Sequence, residues 1–293
     1  EYYCTIFAAQ ESPLKEGLLW VGSDDGLVNV SKNGGQSWEN VTPKGMPDWM
    51  MINSIEPSAF DEGTCYIAGT KYKTGDFEPY LYKTSDYGKS WTKITKGINN
   101  EHFTRVLRED PKQKGLLYAG TETGMYISFD DGNNWKSFQL NLPIVPITDL
   151  TTKDNNLIVA TQGRSLWIID DLSVIHQLYS ADLSKNILFK PKDTYRMSGG
   201  SRKGSKTAGT NHPNGVITHF NLKDLGEEDK VSLTYFDKKG DTIKTYSNKS
   251  KKDKLIVKKG ANQFVWNMTY DGAERLPGMI LWAASLQGPI AVP

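Results

Sequence analysis

The chain has 293 residues, enough for one large domain or two of ordinary size. Its 35 Lys and Arg residues against 34 Asp and Glu residues leave a net charge of +1, which gives no basic footprint for nucleic acid. Aromatic residues make up 11% of the chain, too many for a disordered polymer. No apolar run approaches the roughly 20 residues of a membrane helix. We therefore expect a folded chain with no nucleic-acid partner and no transmembrane segment.

Charge is distributed unevenly along the chain. Residues 1–178 hold 16 Lys and Arg against 23 Asp and Glu, whereas residues 179–293 hold 19 against 11. This shift predicts a domain boundary near residue 179. Residues 179–214 begin as an extended segment and continue into a Gly-, Ser-, Lys- and Asn-rich stretch that favours a flexible loop. We expect three parts: a repeat domain over 1–178, a connector over 179–214 and a second domain over 215–293.

The first region contains a repeated box of the form Ser/Thr-x-Asp/Asn-x-Gly-x-x-Trp. Its first residue recurs after 53 and then 44 residues, and periods of this length are typical of propellers and solenoids. The small turn residues in the box favour a hairpin loop, and the Trp begins the strand that follows. The positions are Ser31, Asn33, Gly35 and Trp38; Thr84, Asp86, Gly88 and Trp91; and Ser128, Asp130, Gly132 and Trp135.

The segments around each box read as short strands separated by turns. In the second copy the strands are predicted at 51–56, 64–69, 79–85 and 91–95. Four antiparallel strands in each repeat are typical of a β-propeller blade. A fourth, degenerate copy covers 157–171. The sequence therefore predicts an all-β chain with four propeller blades, each of four strands, and with the boxes on the loops between the third and fourth strands.

The box resembles the Asp-box, or bacterial neuraminidase repeat, of sialidases, xyloglucan hydrolases and sortilin-type receptors. The whole chain resembles secreted bacterial proteins described as glycosyl-hydrolase-like or sortilin-like. The segments that carry this resemblance are 22–26, 120–124, 162–171 and 278–282. The resemblance implies a structural role for the boxes and an extracellular, periplasmic or outer-cell-surface location. It also implies further blades before residue 1, since Asp-box propellers usually have six or more, and it allows a larger cell-envelope assembly as the setting.

The second region shows alternating strand patterns at 215–222, 231–236, 242–246 and 260–268, with a hairpin turn at 237–240. This arrangement resembles the immunoglobulin or fibronectin type III β-sandwich that is appended to secreted enzymes. The strand set ends early, so we expect this sandwich to be incomplete.

The loops between strands two and three share one propeller face with the loops between successive blades, opposite the boxes. Aromatic rings and charged groups on one surface suit a glycan, and they suit an extracellular protein equally well. We therefore predict a glycan- or protein-binding or scaffold module. The candidate binding residues on this face are Trp49, Tyr72, Lys73, His102, Arg105 and Arg164.

The alternative is a glycoside hydrolase, which needs two carboxylates about 5–5.5 Å or 6.5–9.5 Å apart. The catalytic candidates are Asp24 or Asp25 with Glu122, although both loops also fit ordinary turn chemistry. Members of the sialidase family also have three arginines that hold the substrate carboxylate. Arg108 leads into a loop on the face opposite the candidate binding residues, so the sequence argues against a sialidase. The four histidines lack metal-binding spacing and no nucleotide-binding motif follows a strand, so we predict no metal and no cofactor.

Overall fold

The computed structural model describes residues 4–195, 213–272, 278 and 288–289. Most of the predicted flexible loop, and residues 279–282 of the last segment that carries the resemblance, lie outside this part. The prediction of an all-β chain is confirmed, since the described helices are the short α1 (Ser173–Leu178) and a 3-10 turn at Tyr72–Thr74. The chain divides into two compact units, Glu1–Leu172 and Ser173–Pro293.

The first unit is a succession of small antiparallel sheets, each made from consecutive strands. The first two sheets contain β1 (Ile6–Glu11), β2 (Leu19–Ser23), β3 (Val28–Ser31) and β4 (Glu39–Asn40), followed by β5 (Met51–Pro57), β6 (Cys65–Lys71), β7 (Asp76–Thr84) and β8 (Thr92–Lys93). The next two contain β9 (Thr104–Glu109), β10 (Leu117–Thr121), β11 (Gly124–Ser128) and β12 (Lys136–Ser137), followed by β13 (Ile147–Lys153), β14 (Asn156–Thr161) and β15 (Leu166–Ile169).

The four sheets are blades of a β-propeller. Their first strands, β1, β5, β9 and β13, contact one another in sequence order, so the sheets stand side by side. Buried apolar side chains fill the space between neighbouring blades, as where Trp20 and Val30 of the first blade join Ile52 and Ile67 of the second. The predicted propeller blades are confirmed. The prediction of four strands in every blade is wrong for the fourth, whose described strands number three.

The three boxes form the same hydrogen-bonded loop between the third and fourth strands of their blades. In the second blade, the Thr84 hydroxyl accepts from the Gly88 N–H at 2.9 Å and donates to Oδ1 of Asp86 at 2.8 Å. Oδ1 of Asp86 also accepts from the Ser90 N–H at 2.9 Å. The corresponding bonds recur in the first and third blades. The box side chains therefore satisfy their own turn and lie away from the opposite loop face.

The box tryptophans join each blade to the one before it. The Trp135 indole N–H donates to the Ile94 carbonyl of the preceding blade at 2.7 Å, and Trp91 makes the same bond to Val41. Gly132 of the same box also lies against the preceding blade. Its φ is +83°, and a Cβ there would approach Ile94 to 2.6 Å, so the position requires glycine. Trp135 is 4% exposed. The box thus combines a turn with an interblade contact.

The second unit contains two small antiparallel sheets. One joins β16 (Ile187–Leu188), β17 (Val216–Leu222) and β20 (Gly260–Trp266), and the other pairs β18 (Ser232–Phe236) with β19 (Thr242–Ser247). Phe220 and Leu222 of the first sheet pack with Leu233 and Tyr246 of the second. Strand β16 lies inside the predicted connector over 179–214, so part of that segment is built into the second unit. Among the described residues, no helix is long and apolar enough to cross a membrane.

Candidate functional site

A cavity of about 300 Å³ opens on the propeller face opposite the boxes. It lies where the β2–β3 loop, the segment that leads into β5, and the β6–β7 connection meet. Four predicted site residues are brought together here: Asp24, Trp49, Tyr72 and Lys73. The remaining lining residues are Met51, Thr70, Lys71 and Thr74.

Trp49 presents its indole to solvent at the rim of this cavity. The side chain is 59% exposed, and its backbone has a φ of +60°, in the left-handed region that bulky residues avoid. Gly26 lies beneath this segment, where an added Cβ would meet the Met50 backbone at 3.1 Å. The fold therefore holds an apolar surface at the cavity mouth.

Thr70 supplies a buried hydroxyl to the cavity wall. The residue is 2% exposed, and its Oγ1 has no hydrogen-bond partner among the residues that the structure describes. A buried hydroxyl without a partner costs free energy unless a water or a ligand atom supplies one. Sequence analysis missed Thr70 because Ala68-Gly69-Thr70 reads as the end of an ordinary core strand. The only available signal was its position beside the Tyr72 loop.

Tyr72 is held in place by a stack of planar groups. Its ring lies 5.0 Å from the Phe103 ring at an interplanar angle of 13°. The Arg105 guanidinium lies over both rings, 5.7 Å from Tyr72 and 5.2 Å from Phe103. Glu122 accepts from Arg105 at 2.6 Å. The predicted residues Arg105 and Glu122 thus form an ion pair that supports one aromatic wall of the cavity.

The three candidate catalytic carboxylates have partners already. The Asp24 Oδ1 accepts from the Thr5 N–H at 2.9 Å, and Glu122 is paired with Arg105. Asp25 accepts a hydrogen bond from the Ser23 hydroxyl, which lowers the pKa of the Asp25 carboxyl. Asp25 is therefore ionised at neutral pH and has no proton to give as a general acid.

His102 and Arg164 do not line the cavity. His102 Nδ1 is 2.8 Å from the Tyr126 hydroxyl, a contact within the third blade. Arg164 lies in the β14–β15 loop with an exposed side chain, and its carbonyl accepts from the Trp167 indole at 2.9 Å. Within the described part of the chain, no group of three or more His, Cys, Asp or Glu residues is arranged to hold a metal ion.

A cluster of ionisable groups lies at the other end of the first strands, and sequence analysis did not predict it. Arg108 Nη1 is 3.5 Å from Glu56 Oε2 and 2.6 Å from the Ser54 hydroxyl, both in the second blade. Its other nitrogens reach the fourth blade, at the Leu150 carbonyl (2.9 Å) and Asp149 (2.8 Å). Arg108 therefore bridges three blades, a role that requires neighbours more than 40 residues away.

Glu56 makes the stability of this cluster dependent on pH. Burial raises its pKa from 4.5 to about 7, against the opposing effect of Arg108. The folded chain keeps this proton up to about pH 7, whereas the unfolded chain releases it near pH 4.5, so stability is lost as the pH rises through this window. We expect Glu56 to contribute a loss of about 3 kcal/mol between pH 4.5 and 7.5.

Urea unfolding at several pH values between 5 and 8 measures this effect. Glu56→Gln has no proton to release, so the unfolding free energy of the variant should fall less with rising pH than that of the unchanged chain. Parallel pH profiles for the two proteins would contradict the assignment.

The second unit has a more open cavity of about 520 Å³ beside β17 and β20. Its described lining has polar groups at His219, Lys258, Asn262 and Gln263 but no aromatic ring and no carboxylate. It offers no pair of walls comparable to Trp49 and Tyr72.

No family model matches the chain. Over 113 residues the chain is 25% identical to the oligoxyloglucan-reducing end-specific xyloglucanase of Emericella nidulans, a match that covers 36% of this chain and 13% of that protein. The chain thus spans about one eighth of this relative's length.

Two solved structures with similar folds share less sequence. YCF48 bound to D1 peptide is 20% identical, with a TM-score of 0.44, over 57% of this chain and 52% of that one. The GH74 xyloglucanase from Xanthomonas campestris is 15% identical, with a TM-score of 0.41, over 70% of this chain and 32% of that one. The class of the first unit follows from its own sheets: it is a β-propeller module with a small cavity on its loop face.

Proposed function

We propose that this protein is a glycan-binding module whose Asp-box propeller holds one sugar residue in the Trp49–Tyr72 cavity. The observation that carries the proposal is the combination of an exposed indole, a supported tyrosine ring and an unpartnered Thr70 hydroxyl around one space. A volume of about 300 Å³ is at the lower end for ligand pockets, which suits a single ring.

A sugar matches these groups better than other ligands do. The C–H faces of a sugar ring are apolar and pack on aromatic rings, whereas its hydroxyl groups lie at the edge. Trp49 and Tyr72 supply the rings, Thr70 supplies a hydroxyl, and Asp24 supplies a carboxylate. A protein ligand would use the same rings and is the alternative outcome of the binding experiment.

We propose an extracellular, periplasmic or cell-surface location, with a larger cell-envelope assembly as one setting, because cell-wall and matrix polysaccharides lie outside the cytoplasm. The Asp-box resemblance and the sequence match to a xyloglucanase support this setting.

We also propose that the second domain, over 215–293, is an immunoglobulin- or fibronectin-III-like sandwich. The packing of the β16–β17–β20 sheet on the β18–β19 pair through Phe220, Leu222, Leu233 and Tyr246 supports this assignment.

The second candidate function is hydrolysis of a glucan, which the 25% identity to a xyloglucanase favours. The Asp24, Asp25 and Glu122 carboxylates would be its catalytic groups. The pairing of Glu122 with Arg105 argues against it, because that carboxylate is already bound. An ionised Asp25 would still fit the role of nucleophile or base.

One experiment separates the two functions. Affinity gel electrophoresis on xyloglucan, hydroxyethylcellulose, polygalacturonate and alginate measures binding, and a reducing-end assay on the same polymers measures cleavage. We expect retardation by at least one polymer without release of reducing ends. Cleavage would support the hydrolase instead, and Glu122→Gln should then lower turnover at least about 100-fold. Binding of peptides with no retardation by any polymer would overturn the glycan proposal.

A further inference from the structure

We infer that the glycan carries carboxylate groups, so the polymer contains uronic acid residues. This inference rests on the proposed function and adds the substrate class. Lys71 and Lys73 both line the cavity, and neither has an ion-pair partner among the described residues. Asp24 is the one acidic residue in that lining, so the cavity has an excess of positive charge although the surrounding unit is acidic.

None of the nearby described carboxylates lies within ion-pair distance of either lysine. Glu122 is paired with Arg105, and Asp25 accepts from Ser23. Asp76, at the other end of the same connection, accepts from the Tyr80 hydroxyl at 2.7 Å and from the Glu78 N–H at 3.0 Å. The two ammonium groups beside the cavity are therefore available to an anionic ligand. A carboxylate on a sugar ring is such an anion.

Thr70 adds a directional contact to this charge. Its hydroxyl is buried and has no hydrogen-bond partner in the described structure, so it can donate to a carboxylate or hydroxyl oxygen of the bound ring. The ligand then pairs a group that otherwise stays buried and unpaired. The two lysines would give selectivity for an acidic ring, and the Thr70 hydroxyl would orient the bound ring.

The test compares acidic polymers with their neutral counterparts. The probes are polygalacturonate, alginate and glucuronoxylan, together with the same polymers after chemical reduction of the carboxyl groups to alcohols. The linkages are unchanged, so a difference in binding reports the carboxylate alone. We expect the full chain to bind at least one acidic polymer about tenfold or more tightly than its reduced form, and this preference should weaken as salt increases.

Variants assign the preference to residues. Lys73→Met and Lys71→Met should each weaken binding to the acidic polymer about tenfold and weaken binding to the reduced polymer much less. Lys153→Met, an exposed lysine at the far end of β13, is the matched control and should change neither. Thr70→Val should weaken binding to the acidic polymer about tenfold while the melting temperature stays equal or rises, which a purely structural role would not produce.

The outcomes distinguish failure of the uronic acid inference from failure of the glycan-binding proposal on which it rests. Equal binding of acidic and reduced polymers overturns the uronic acid assignment and leaves a glycan-binding module. Preference for xyloglucan over every acidic polymer does the same. Failure of all polymers, together with Trp49-dependent binding of peptides, overturns both proposals.

Discussion

Replacing Trp135 with alanine is expected to lower the free energy of unfolding of the propeller unit by about 3–5 kcal/mol. The side chain is 4% exposed and packs between the second and third blades. Its removal opens a cavity and leaves the Ile94 carbonyl without the indole N–H that lies 2.7 Å away. Calorimetry of the full chain, with far-UV circular dichroism to follow the sheets, measures the shift.

The matched control is Trp38, the same position of the box in the first blade. Trp38 is 44% exposed, so Trp38→Ala should cost about 1 kcal/mol or less. The two residues occupy equivalent turns, and the difference between them measures the interblade contact alone. Equal losses would mean that the indole stabilises its own turn and not the joint between blades.

Replacing Trp49 with glycine is expected to abolish retardation by the bound polysaccharide without lowering the melting temperature. The left-handed backbone at Trp49 costs an L-residue about 1 kcal/mol. Glycine removes this strain, although its greater freedom in the unfolded chain offsets the gain by a similar amount. The same substitution removes the indole from the cavity rim, so binding and stability should respond independently. Affinity gel electrophoresis and calorimetry on one preparation measure both.

Trp49→Tyr is the control for this experiment. It keeps an aromatic ring at the rim and the strained backbone beneath it, so it should retain most of the binding. Full binding by the glycine variant would remove Trp49 from the site. A large fall in the melting temperature of that variant would show that the indole supports the fold.

The contrast between the two tryptophans follows from the sequence pattern. Trp135 belongs to a box that recurs with its turn residues, and such repetition indicates a part of the fold. Trp49 stands outside any box, in a segment between blades, where the chain has more freedom to present a side chain to a ligand. Position within the repeat therefore predicts a structural role for Trp135 and a binding role for Trp49.

The sequence determined the blades because their signals are local. Alternating strands, glycine turns and the box spacing predicted strands at 64–69 and 79–85, and the structure has Cys65–Lys71 and Asp76–Thr84. The fourth blade departed from the pattern because its copy lacks the box. Without those turn residues the chain does not form a described fourth strand, and it enters α1 at Ser173 instead.

The sequence also predicted the face on which Asp24, Trp49, Tyr72 and Lys73 lie, since loops alternate between the two faces of a propeller. Only the tertiary structure decided what these residues can do. The Glu122 carboxylate pairs with Arg105, and the Thr70 hydroxyl is buried without a partner among the residues that the structure describes. Both facts arise from atoms that different strands and loops bring together. Turn chemistry and strand periodicity act over a few neighbouring residues, whereas burial and charge pairing depend on packing across blades.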